Sequence, residues 1–103
     1  MTTIKINGTT YNLKYSIRAY MYFEQIVGKP FAVNNLTDTY ILFYSFLMAS
    51  NRETFNMTFD SFIDCVDSDP NLIKQFNEFF KAESDKQSLI AKSDDKKSKS
   101  KKA

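Results

Sequence analysis

The sequence predicts an α+β domain in which an N-terminal β-hairpin packs on a compact bundle of about four α-helices. Three observations carry that expectation. An Asn7-Gly8 pair sits between two alternating apolar segments. Four later segments repeat apolar residues at helical spacing, each opened by a capping residue. Ten Phe and six Tyr among 103 residues supply a core dense in large rings. The length fits one domain, and in so small a domain each buried ring contributes a large share of the apolar area. The globular unit is expected over 1–84, followed by a flexible basic tail over 85–103.

The hairpin occupies residues 2–14. Asn-Gly is the preferred pair for a two-residue type I′ turn, because both positions need positive φ. That turn sets Ile6 opposite Thr9, Ile4 opposite Tyr11 and Thr2 opposite Leu13. The apolar residues then share one face, with Lys5, Thr10, Asn12 and Lys14 on the other. An isolated hairpin is barely stable in water, so this apolar face needs a covering element.

Helices follow at about 17–27, 38–50, 59–66 and 70–83. Ser16 is the expected N-cap of the first, with Ala19, Tyr20, Phe23, Ile26 and Val27 inward and Arg18, Tyr22 and Gln25 outward. Gly28 suits the left-handed position that ends it, Pro30 blocks a restart, and Phe31 and Val33 are expected to fold back beneath it. Thr37 is expected to cap the second helix, with Asp38 near its positive end. Leu36, Tyr40, Phe43, Tyr44 and Leu47 line one side, and Leu42, Phe46 and Ala49 the opposite one. A helix apolar all round is either central in the domain or covered by a partner. Residues 51–56 read as a loop. Thr58 opens the third helix, with Phe59, Phe62, Ile63 and Val66 inward. Asp69 as cap and Pro70 at the first position open the fourth, with Leu72, Ile73, Phe76, Phe79 and Phe80 as its apolar stripe. This helix is expected to fade between Glu83 and Ala91.

Composition argues against catalysis. The chain has no histidine, the commonest general base and metal ligand, and only two glycines, each assigned to a turn or a cap, so no phosphate-cradling loop exists. Asp60, Asp64, Asp67 and Asp69 invite a calcium site, but the spacing lacks the EF-hand glycine and Pro70 follows directly. No catalytic, cofactor-binding or metal-binding residue is expected, and no cofactor. Cys65 stands alone and forms no intramolecular disulfide. The first residues lack a secretory signal and no apolar run reaches membrane-spanning length, so a cytoplasmic protein with no membrane partner is expected. Residues 92–103 hold six lysines and two aspartates, leaving eight basic and ten acidic residues elsewhere. The lack of arginine and the aspartates make nucleic acid an unlikely partner and a solubilising tail the simpler reading. The surplus apolar surface is expected to receive a helix of another protein or a second copy, through Leu42, Phe46, Phe76, Phe79 and Phe80. Mutual packing of these five inside the bundle is the plain alternative.

The order of segments is more specific than any one of them. An "IKING-TYNL" hairpin leads into "SIRAYMYFEQIVGKPF", then "LTDTYILFYSFLMAS", "MTFDSFIDCVD" and "DPNLIKQFNEFF". Over about residues 3–82 this resembles the tail assembly chaperones of long-tailed (siphovirus-type) bacteriophages and prophages. Arg18 to Phe31 is the strongest part, with its arginine, its acidic residue near the helix end and its "GKPF" exit. The resemblance implies a non-enzymatic factor of the host bacterial cytoplasm, absent from the mature virion. Its partners would be the tape measure protein, kept in solution, and the tail tube protein, helped to polymerise. It also implies a longer form made by ribosomal frameshifting, with Lys101-Lys102, or else Lys96-Lys97, at the slip site. Two other classes stay open: a small nucleic-acid-binding or regulatory protein using the lysine-rich end, and a structural head-tail subunit.

Overall fold

The computed structural model describes the backbone of residues 2–98 and the side chains of residues 2–86. The Lys101-Lys102 pair and the last part of the basic segment lie outside the described residues. Strands β1 (Thr2–Ile6) and β2 (Thr9–Leu13) form a two-stranded antiparallel sheet, followed by α1 (Ile17–Val27), α2 (Leu36–Ser50), α3 (Phe59–Ser68) and α4 (Asn71–Ser98). An α+β fold with an N-terminal hairpin and four helices is therefore what the chain adopts.

The hairpin has the register that its turn dictates, with Thr2 opposite Leu13, Ile4 opposite Tyr11 and Ile6 opposite Thr9. Asn7 and Gly8 take φ of 53° and 84°, as a type I′ turn requires. Ile4, Ile6, Tyr11 and Leu13 are buried, and the alternate residues are exposed. β1 lies against α4 and β2 against α2, so both strands press the same face onto helices.

Beyond the turn, β2 has an edge whose backbone groups need partners. Two side chains at the end of α2 supply them. Asn51 Oδ1 accepts from the Asn12 N–H at 2.9 Å, and Asn51 Nδ2 donates to the Asn12 carbonyl at 2.9 Å and to the Leu47 carbonyl at 3.0 Å. Ser50 Oγ accepts from the Lys14 N–H at 2.9 Å and donates to the Lys14 carbonyl at 3.3 Å. An amide and a hydroxyl thus stand where a third strand would lie.

α1 begins at Ser16, whose Oγ accepts from the Ala19 N–H, and ends at Gly28, which takes φ 81° and donates its N–H to the Glu24 carbonyl at 2.7 Å. Ala19 and Phe23 are buried, with Tyr20 and Val27 half-buried. Ile26, expected inward, is exposed, because the chain that follows stays outside instead of folding over it. Phe31 does turn back, its ring meeting Tyr20 and Phe23, whereas Val33 remains exposed.

The cap of α2 is Asn35, not Thr37, and the helix starts two residues earlier than expected. Asn35 Oδ1 accepts from the Asp38 N–H at 2.8 Å, while Asp38 Oδ2 accepts from the Asn34 N–H at 2.9 Å. This reciprocal box satisfies donors on both sides of the helix start, which a Thr37 cap would not. It leaves Leu36 at the first helical position and 73% exposed, outside the apolar stripe assigned to it. The rest of α2 is central. It touches α1, β2, α3 and α4, so both of its apolar faces are used within the chain. Ser45, fully buried among them, donates to the Ile41 carbonyl at 2.7 Å.

The loop after α2 contributes a core residue: Phe55 is buried, its ring 5.3 Å from Tyr11 and 5.5 Å from Tyr44. Tyr44 donates its hydroxyl to the Met57 carbonyl at 2.6 Å, tying α2 to the approach to α3. Thr58 caps α3 through the Ser61 N–H, and Asp69 Oδ1 accepts from the Asn71 N–H at the start of α4. Pro70 stands just before α4, and the helix runs to Ser98, past the Glu83–Ala91 range in which it was expected to fade. No proline or glycine interrupts that stretch, and Lys81–Asp85 and Glu83–Lys86 form ion pairs one turn apart.

Candidate functional site

The five residues expected to receive a partner are on α2 and α4. The structure brings them together, but as core. Leu42, Phe46, Phe76 and Phe79 are buried, and Phe80 is half-buried. The Phe46 ring lies 5.8 Å from each of Phe76, Phe79 and Phe80. Phe43 stacks on Phe76 at 4.6 Å with an interplanar angle of 10°, and meets Phe62 edge-on at 5.0 Å. Offset and edge-on rings of this kind satisfy one another's quadrupoles and need no further partner. As a free docking face the set is corrected: these side chains fill the bundle, and only Phe80 keeps appreciable contact with water.

The apolar surface that does remain open lies elsewhere. Ile17, Met21, Ile26, Phe31, Val33 and Leu36 are the exposed large hydrophobic residues among those described, and all fall within residues 17–36. Their clustering in sequence is not legible from periodicity, which places Ile26 and Leu36 on apolar helix faces, nor from the expected return of the chain, which places Phe31 and Val33 beneath α1. Next to Leu36 a groove of about 340 Å³ opens between the start of α2 and α3, lined by Leu36, Tyr40, Phe59, Ile63, Val66 and Asp67 among others.

Behind the open surface the rings form a chain. Phe31 meets Tyr20 at 4.6 Å and Phe23 at 5.1 Å, and Tyr20 reaches Phe46 at 5.8 Å. Tyr20 donates its hydroxyl to Tyr15 at 3.0 Å. Burial, and then that hydrogen bond, push the Tyr20 phenol above its ordinary value; burial does the same to Tyr44. Both stay neutral at physiological pH and act as amphipathic spacers, with an apolar body and one paired hydroxyl.

The residues that mark the Arg18–Phe31 segment have structural work here. Glu24 Oε2 accepts from the Phe31 N–H at 2.7 Å, and Gly28 makes the turn between them. The acidic residue near the helix end and the "GKPF" exit are thus one clip that turns the chain back on α1.

Other candidate chemistry does not assemble. Asp60, Asp64, Asp67 and Asp69 are exposed, and Asp69 serves as a cap. Among the described residues, no group of three or more His, Cys, Asp or Glu side chains could hold a metal ion. Cys65 is a free, half-buried thiol. No helix among the described residues is long and apolar enough to cross a membrane. Comparison with family models, with curated proteins and with solved structures gives no match.

Proposed function

We infer that the chain is a non-catalytic assembly chaperone of the phage-tail type, binding the tape measure protein and aiding polymerisation of the tail tube protein in the host cytoplasm. One observation carries the reading: among the described residues the exposed large apolar side chains all fall within residues 17–36, which overlap the Arg18–Phe31 segment of strongest resemblance. An amphipathic client helix needs apolar side chains displayed on a rigid support, surrounded by enough charge to keep the complex in solution. α1 and the start of α2 provide the display, and the ring-filled bundle beneath them provides the support.

The reading moves the client contacts from the buried α2–α4 rings to the surface of α1 and the segment after it. Co-expression with a candidate tape measure protein tests it. The client should be recovered in the soluble fraction with the chain present, and Ile17→Ser combined with Met21→Ser should reduce that recovery at least threefold. Equal insolubility of the client with and without the chain would remove the basis for the proposal.

A further inference from the structure

Gly28 to Thr37 form a continuous run of exposed residues between α1 and α2. The run is fastened at one end by the Gly28 N–H to the Glu24 carbonyl, and at the other by the Asn34 N–H to Asp38. Between those points one side chain reaches inward and, among the described residues, one hydrogen bond ties the run to α1. Both belong to Phe31: its ring meets Tyr20 and Phe23 edge-on, and its N–H is held by the exposed Glu24 carboxylate. The ring is still 37% exposed, whereas Phe23 behind it is fully buried.

We propose that Phe31 is the resident plug of a binding site for one large apolar side chain, floored by Tyr20 and Phe23, and that a client helix enters by displacing it. The resident defines the ligand chemistry: an aromatic or branched aliphatic side chain presented from outside, with no charge and no bonded polar atom. The strap is the latch. Gly28, already in the left-handed region, is the hinge, and Glu24 is the catch, a single exposed hydrogen bond that breaks without stranding a buried group. Opening exposes two rings and leaves α1 and α2 intact, which makes it a local event rather than global unfolding. Swinging out adds Phe31 to the apolar display already formed by Ile17 and Met21. The client in this proposal rests on the assembly-chaperone reading; the latch itself does not.

The experiment has two arms on the full chain. Native-state hydrogen exchange should show the Phe31 amide exchanging at least tenfold faster than the amides of Phe43 and Phe46, and Glu24→Ala should speed it further with no change at those core positions. In parallel, Phe31→Ala should raise the fluorescence of added bis-anilinonaphthalenesulfonate severalfold while unfolding stays cooperative. A Phe31 amide that exchanges only with the core overturns the latch, and so does a Phe31→Ala protein that folds and binds no extra dye. If that variant does not fold, exchange in the unmodified chain decides. Peptides from the candidate tape measure protein should then compete with the dye in Phe31→Ala. A latch that opens while no such peptide competes overturns the client as the displacing ligand, independently of the solubility assay.

Discussion

Both ends of α2 are closed by an asparagine, and the two closures differ in reach. Asn35 bonds within its own turn, to the Asp38 N–H three residues on. Asn51 bonds across the fold, to both backbone groups of Asn12, 39 residues away. The first residue is exposed and the second buried. Around Asn51 the chain is fixed by strand edge, Ser50 and the Phe55 ring; around Asn35 it is fixed only locally and lies beside the exposed strap. One residue type thus serves as a weld at one end and a stopper at the other. The difference lies in what its amide meets, not in the amide.

The strongest way to break this contrast is Asn51→Ala. It removes the buried amide that pairs both Asn12 backbone groups and the Leu47 carbonyl, and should cost about 1–3 kcal/mol. The thermal midpoint and the exchange protection of β2 should fall together. Asn35→Ala should cost about 1 kcal/mol, the usual value of an N-cap, with faster exchange confined to the first turn of α2. Equal losses from the two variants would erase the distinction. The smallest effect is expected at Leu36→Ser, within about 0.5 kcal/mol, because the side chain is already in water. A larger loss in denaturant titration would mean that Leu36 is covered in solution by another molecule.

Elements governed by adjacent residues were legible in the sequence. The hairpin register follows from Asn7-Gly8 and strict alternation, and α1 from Ser16 and Gly28, because each needs only neighbours a few residues apart. The start of α2 was misplaced because Asn35 and Thr37 are both competent caps. The tie is broken by Asp38 three residues after Asn35, a signal that was present. Asn51 and Phe55 were not legible at all. Their roles depend on Asn12, Tyr11 and Tyr44, and a polar loop gives no local sign of such distant partners. Leu42, Phe46, Phe76 and Phe79 show the same limit from the other side. Periodicity identified them as apolar faces, but only tertiary packing determines whether such faces meet one another or a partner. Loss of the apolar stripe does not end α4 at once, because Lys81–Asp85 and Glu83–Lys86 pair about one turn apart without burial.

The placement of β1 against α4 has a consequence during synthesis on the ribosome. All residues of the hairpin are available once Lys14 has emerged, but alone the hairpin is only marginally stable. The helix that packs on β1 is α4, which is made last, at the far end of the described domain. At roughly 5–20 residues per second, the first-made apolar face waits on the order of several seconds for its last-made cover. During that interval the nascent chain exposes an unpaired sheet edge and bare isoleucines, both of which invite mispairing between neighbouring ribosomes. Asn51 emerges earlier and pairs the outer edge of β2, so the edge is quenched before the face.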